Sequence, residues 1–264
     1  MVNYKCFNCS LFLFIKVIFG FLICAQSSFV IAGDNLPNTI ERIKRSVVSV
    51  ATVMLDRSPR VIFYGTGFVV GNGQYVMTND HVVPKNIKKN EALIIFSGEG
   101  NRPTPHHVEV VMRDKLHDLA LLHIKANVLP AVTLGDSGSV REGERYAITG
   151  FPIGMVLGQY PVTHEGIVSG IPPIVTPAPS SRQLTAEQIK RNRNPFRVFQ
   201  LDAIAYPGNS GSPLYDVDYG RVVGIVNSVF IKKSKEAALT SPSGITYAIP
   251  SSYIQALLDK ADVK

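Results

Sequence analysis

The sequence predicts an all-β protein built from two small β-rich halves, with a short helix at each end. Three observations predict it. Helical periodicity is confined to the two ends of the chain. Between them, short β-rich runs recur, commonly bounded by Gly, Pro, Asn or Asp, as in barrels or sandwiches. A polar stretch, Gly135-Asp136-Ser137-Gly138-Ser139, falls mid-chain, with enough Ile, Val and Leu on both sides for two small cores.

The 264 residues allow one large or two small domains. Hydrophobic residues make up 45% and charged residues 18%, which is ordinary for a soluble globular protein. Residues 1–33 stand apart. They hold Lys5 and Lys16, no acidic residue, an apolar stretch at 17–25 and the exit Val30-Ile31-Ala32-Gly33. This resembles a secretory signal peptide cleaved near Ala32 or Gly33. A retained anchor is the competing reading: 11–32 is long enough to span a bilayer, although Lys16 and Gln26-Ser27-Ser28 interrupt it. Bulky Ile23 before Cys24 argues against a lipid-modified cysteine. All three cysteines, Cys6, Cys9 and Cys24, lie in this segment, so Cys6-x-x-Cys9 has no second pair to complete a metal or redox site. After leader removal no stable membrane span is expected. The net charge of +7, two units of which leave with the leader, is modestly basic, and no nucleic-acid partner is expected.

Beyond the leader, 34–264 is expected to fold as 34–138 and 139–264, the latter ending in a helix. Asn38-Thr39-Ile40-Glu41 has the pattern of a capping box, with Ile40, Ile43, Lys44 and Val47 at helical spacing. Strands follow at 47–55, 61–68, 74–78, 92–96, 108–112 and 119–124, then at 146–149, 166–169, 197–201, 222–229 and 245–249. Ser251 is placed to cap a last helix carrying Tyr253, Ile254, Leu257, Leu258 and Ala261. The pair His106-His107, beside Pro103 and Pro105, reads as an exposed loop rather than a metal site, because no cysteine or spaced carboxylate completes a ligand set. The stretch 172–195, rich in Pro and Ser and carrying Arg182, Lys190, Arg191 and Arg193, reads as a long solvated loop. A partner or anionic ligand is the alternative there.

Three motifs carry the chemistry: Thr78-Asn79-Asp80-His81-Val82-Val83, His117-Asp118-Leu119-Ala120-Leu121-Leu122 and Pro207-Gly208-Asn209-Ser210-Gly211-Ser212-Pro213. Each alone has a bland reading as a turn, a strand start or a bystander histidine. Together they supply a histidine, an aspartate and a serine in the order His, Asp, Ser. A serine hydroxyl needs an imidazole to take its proton, and a carboxylate to hold that imidazole in the right tautomer. Asp118 opens an apolar run with the character of a buried strand, where a carboxylate is shielded and its bond to His81 strengthened. Gly208 can adopt angles closed to other residues, so the N–H groups of Gly208 and Ser210, around Asn209, can converge on one spot beside the serine oxygen. No cofactor and no metal are needed.

In these motifs the chain resembles the HtrA/Deg serine proteases of the chymotrypsin-like class, in register over most of 38–252. Leu134-Gly135-Asp136-Ser137 is similar to that family's LGDS segment. Glu142-Gly143 through Phe151-Pro152-Ile153-Gly154 is similar to its GD…AIGNPFG strand and turn. Glu165-Gly166-Ile167-Val168-Ser169 resembles SGIVS, and Gly244-Ile245-Thr246-Tyr247-Ala248-Ile249-Pro250 resembles GIGFAIP. The resemblance implies two antiparallel β-barrels with the site between them, and peptide-bond hydrolysis in exported (periplasmic or secreted), often unfolded, protein substrates. It implies His81 as general base, Asp118 as its orienting carboxylate and Ser210 as nucleophile. Asn227, Ser228 and Val229 become the edge strand that pairs with substrate, and Ile204 with the Val229 region walls the specificity pocket. No charge sits there, which implies small or medium aliphatic residues before the scissile bond. Thr246 stands where relatives have a pocket-lining Gly and narrows the pocket. Tyr206 and Ser212-Pro213 are further departures. A protease domain without a PDZ domain is expected, with a homotrimer as the candidate assembly. Three other readings compete. The TNDHVV and GNSGSP motifs also resemble exported glutamyl endopeptidases, although no clear pocket histidine follows Gly224. A latent protease would act as a chaperone-like binding module, and a secreted effector would use the basic loop on one target.

Overall fold

The computed structural model describes residues 35–100, 102–125, 127–152, 158–174, 195–204, 206–227 and 245–263. The leader, the basic 182–193 segment, Ser228 and Val229 lie outside them. Helix α1 (Leu36–Lys44) comes first, followed by strands β1 (Val47–Met54), β2 (Val61–Val70), β3 (Tyr75–Thr78), β4 (Glu91–Ser97), β5 (Thr104–Asp114) and β6 (Leu119–Ile124). The second set is β7 (Arg145–Gly150), β8 (Val162–Gly170), β9 (Phe199–Asp202), β10 (Pro213–Asp216), β11 (Val222–Asn227) and β12 (Ile245–Pro250), ending in helix α2 (Ser251–Lys260). Each set closes on itself. The first runs β1-β2-β3-β6-β5-β4 and the second β10-β11-β12-β9-β8-β7, every pair antiparallel. The all-β expectation, with two barrels and short terminal helices, holds.

The apolar runs explain the layering. Successive side chains on a strand point to opposite faces, and on β6 both faces are buried. Ala120, Leu122 and Ile124 fill the first barrel with Val48, Val50, Val69 and Val76. Leu119 and Leu121 point the other way, into a shared layer with Phe68, Met77, Phe151, Tyr215, Ile225 and the α2 residues Ile254, Leu257 and Leu258. The second barrel has its own filling, led by Ile148, Phe199, Leu201, Leu214 and Val226. This shared layer packs the two barrels against one another. Helix α1 docks on the second barrel, with Asn35 Nδ2 and Thr39 Oγ1 donating to Asp218 O at 3.1 and 3.2 Å and Arg42 Nη2 donating to Tyr219 O at 2.7 Å.

Several sequence expectations need correcting. Helix α1 begins at Leu36, so Asn38 lies inside it and forms no capping box; Asn38 Nδ2 instead donates to Asn35 Oδ1, and Pro37 starts the first turn. Ser251 does not cap α2: its hydroxyl donates to Gly135 O at 2.7 Å, while Ser137 Oγ accepts from the Ser252 N–H. His106 and His107 are not on a loop. They lie on β5 opposite Ile95 and Ile94, with the His106 ring 6% exposed. Its ring is accommodated because both nitrogens have partners, Nδ1 with Asn127 Nδ2 at 3.0 Å and Nε2 with Ser97 Oγ at 2.7 Å. The amide nitrogen can only donate, so Nδ1 is the acceptor and Nε2 carries the proton.

That arrangement makes His106 acid-sensitive. Burial pushes its pKa below the ordinary 6.5, and burial does the same to His164 on β8. The unfolded chain takes up these protons near pH 6.5 while the folded chain resists, so stability is lost as pH falls through 6.5. The carboxylates held below their usual range, Glu91, Asp114 and Glu144, act in the same sense only at more acidic pH. The thermal midpoint is therefore expected to fall between pH 7.5 and pH 5.5. Scanning calorimetry across that interval checks it, and a midpoint that rises on acidification contradicts it.

Candidate active site

β3 delivers the histidine. It ends at Thr78, and one 3-10 turn, Asp80–Val82, places His81 at the surface between two buried neighbours. Val82 plugs into the first barrel core, and Asp80 Oδ1 accepts from Arg113 Nη1 at 2.6 Å. With both neighbours anchored, the His81 ring has little freedom to drift.

Asp118 lies at the end of the tight turn between β5 and β6. Asp114 Oδ1 accepts the Leu116 and His117 N–H groups at 3.0 and 3.2 Å, closing the turn, and Asp118 follows at φ 54°. That left-handed conformation is one that Asp and Asn tolerate better than most residues. The Asp118 carbonyl accepts from Asn79 Nδ2 and from the Asp80 N–H, both at 3.1 Å. Its carboxylate meets three donors: Oδ1 takes the His81 N–H at 2.9 Å, while Oδ2 takes His81 Nδ1 at 2.6 Å and Asn227 Nδ2 at 2.6 Å. A carboxylate only accepts, so Nδ1 is the donor and the neutral ring keeps Nε2 as its acceptor.

Ser210 comes from the second barrel, just before β10. Tyr206-Pro207-Gly208-Asn209 is a turn in which the Asn209 N–H bonds Tyr206 O at 3.0 Å and Gly208 sits at φ 102°. Pro in the second place and a positive-φ glycine in the third define type II. Gly211, at φ 89°, has a backbone-only fit: a Cβ there would collide with Thr66 O. The Ser210 carbonyl accepts from the Thr66 N–H of β2 at 2.9 Å. A Cβ on Gly65 would lie 2.8 Å from both that carbonyl and the Val82 side chain, so Ser210 arrives beside the residue that follows His81.

The other sequence candidates divide. Asn227 ends β11 fully buried, and its side chain is on Asp118. The sequence offered it only as part of an edge strand. Thr246 on β12 is 1% exposed and its hydroxyl donates to Ala203 O at 2.6 Å, while Ile204 is 39% exposed beyond the end of β9. Asn209 is buried with neither side-chain polar atom partnered among the described residues, and the same holds for Ser212 Oγ. The roles of two residues went unnoticed in the sequence. Thr66 touches the serine loop from the opposite barrel. His117 pairs Nδ1 with Asp114 Oδ2 at 2.6 Å and stacks on Tyr253 of α2 at 4.2 Å, tying the Asp118 turn to the C-terminal helix. Burial acts to raise the Asp114 pKa, but the bonds from His117 outweigh it and hold the carboxyl below its ordinary value. Only the Asp114-x-x-His117 spacing hinted at that pair. Among the described residues no cluster could hold a metal ion.

Comparison with known proteins bears on this arrangement. The trypsin-like peptidase domain family matches residues 65–225. A probable periplasmic serine endoprotease DegP-like from Marinomonas sp. (strain MWYL1) is 32% identical over 74% of this chain and 35% of its own length. The mitochondrial serine protease HTRA2 of Drosophila willistoni is also 32% identical, over 75% of this chain and 38% of its own. The chain thus spans little more than a third of these relatives. Among solved structures, the HtrA-type protease AlgW with tripeptide is 26% identical with a TM-score of 0.60, covering 85% of this chain and 62% of the other. AlgW with decapeptide, at 23% identity and a TM-score of 0.63 over 86% of this chain and 67% of the other, shows the shared fold. The chain belongs to the trypsin-like peptidase family, with HtrA-type proteases among its relatives.

Proposed function

We propose that this protein is an exported serine endopeptidase in which His81, Asp118 and Ser210 act as one unit. The observation that carries the reading is the Asp118 carboxylate, which bonds a histidine of the first barrel and an asparagine of the second through the same oxygen. A carboxylate so placed orients the imidazole and stabilises the imidazolium that forms when the ring takes a proton. Ser210 Oγ attacks the substrate carbonyl carbon and passes its proton to His81 Nε2. The carbonyl oxygen of the tetrahedral adduct becomes negative and is met by the Gly208 and Ser210 N–H groups. The adduct collapses as His81 gives its proton to the leaving amine, and water then repeats the sequence to release the acid.

Turn types I and II differ by reversal of the central peptide, here the one bearing the Gly208 N–H, and only type II demands glycine at that place. The φ of 102° at Gly208 supports an oxyanion site set in advance over a latent, chaperone-like state. Protein substrates in extended form would pair with the main chain of 227–229. The Thr246 hydroxyl proton is spent on Ala203 O, so it has none to give to an acidic side chain. With the uncharged Ile204 beside it, this supports small aliphatic residues before the scissile bond. A glutamyl preference has one observation in its favour. His164 Nε2 is buried without a partner among the described residues, its ring 6.1 Å from that of Tyr206. Export and a homotrimeric assembly rest on the family resemblance; cell fractionation tests the first and sedimentation the second.

Casein digestion by residues 34–264, beside Ser210→Ala, tests the activity. Loss of a catalytic serine costs about 2 × 10⁶ in kcat in the subtilisin precedent, so cleavage should vanish in the variant. Peptides ending in Val, Ala, Ile or Leu are expected by mass spectrometry; ends at Glu would favour the His164 reading, and equal digestion by both proteins would refute the nucleophile. Asp118→Asn separates fold from catalysis. Asn is compatible with φ 54°, so the fold should persist, with a lowered midpoint because an amide cannot accept all three donors, while kcat falls by about 10⁴. Unchanged turnover would remove Asp118 from the catalytic unit.

A further inference from the structure

Thr66 lies in the middle of β2, on the first barrel, and none of the three catalytic motifs includes it. Four of its hydrogen bonds converge on the site. Its N–H donates to Ser210 O at 2.9 Å, and its hydroxyl donates to Gly208 O at 2.7 Å. That hydroxyl accepts from the Phe151 N–H at 3.0 Å, and its carbonyl accepts from Thr78 Oγ1 at 2.6 Å. Phe151 lies just past β7, and Thr78 is three residues before His81. One fully buried residue therefore touches the serine loop and the end of β7 with its hydroxyl, and the strand leading to the histidine with its carbonyl.

The direction of the chain of bonds is forced. The Phe151 N–H can only donate and the Gly208 carbonyl can only accept, so the single hydroxyl proton of Thr66 must point at Gly208. The peptide joining Gly208 to Asn209 is thereby held at both ends, its carbonyl by Thr66 and its N–H by Tyr206 O. Two residues on, the Ser210 carbonyl is held by the Thr66 N–H. We infer that Thr66 is the positioning residue for the oxyanion turn, fixing from the opposite barrel the peptide planes that flank the Gly208 and Ser210 N–H groups. Thr66 touches no reacting atom; it acts through Gly208 and Ser210. The inference rests on the serine-protease reading for its kinetic consequence, though not for its geometric one.

Thr66→Val keeps the shape and β-propensity of the residue but leaves Gly208 O and the Phe151 N–H buried without this partner. Thr66→Ser keeps the hydroxyl. With a chromogenic peptide ester, kcat of Thr66→Val is expected to fall about 10- to 100-fold with KM changed less than about threefold, since the loss bears on the transition state. Thr66→Ser is expected to restore kcat to within about threefold of the parent. Hydrogen–deuterium exchange by mass spectrometry gives a readout independent of activity. In Thr66→Val, amides of 206–212 should exchange faster while those of β11 keep their protection; in Thr66→Ser they should not. An exchange pattern unchanged in Thr66→Val, or equally disturbed in Thr66→Ser, overturns the inference. A parent protein no more active than Ser210→Ala overturns the protease reading, and the exchange comparison still decides the role of Thr66. Should Thr66→Val fail to fold, a Thr66→Ser protein with slowed kcat or loosened 206–212 amides would overturn it as well.

Discussion

A charge taken out of water must be matched by hydrogen bonds, and the barrels of this protein meet around one such charge. Asp118 is held by the His81 main chain, the His81 ring and the Asn227 amide. Charge-assisted bonds of this kind are shorter and stronger than neutral ones, and removing one partner from a buried set costs more than the bond contributed. The first barrel supplies the carboxylate and the imidazole, and the second supplies Asn227. Neither barrel alone completes the arrangement. The shared apolar layer between them, with Leu119 and Leu121 beside the aspartate on β6, keeps the barrels in that relation.

The serine loop is fixed by the same logic applied to neutral groups. Its Gly208 and Ser210 carbonyls would lose these partners at the interface without Thr66, because the loop does not belong to a ladder there. β2 lends its own main chain and one hydroxyl in place of a strand partner. The glycine at 211 is the geometric condition for this, since a side chain there would strike Thr66 O. Asn209 and Ser212 remain as buried polar side chains without partners among the described residues. Such groups carry a desolvation cost that a functional loop can retain where a purely structural one would shed it.

Most of the fold was legible because the strands are short, β-rich and punctuated by turn residues. The proposed triad was legible because each member sits in a distinctive local run. What escaped has physical reasons. β10 begins at Pro213, directly after the serine motif, and reads as loop; Pro is tolerated there as the first residue of a strand, and Leu214 and Tyr215 are fully buried behind it. His106 reads as loop because two prolines precede it, yet Pro105 is accommodated near the start of β5. Asn227 and Thr66 could not be found locally. Their roles depend on partners 109 and 142 residues away, a separation that periodicity and caps do not encode.

The central claim is that the two barrels assemble one activated serine at position 210. Reaction of the folded protein with a fluorophosphonate, followed by peptide mapping, tests it without choosing a substrate. The account predicts a single adduct on Ser210 that is lost when the protein is unfolded first or when His81 is replaced by Ala. Labelling of another residue, or labelling of Ser210 that survives loss of His81, would contradict it.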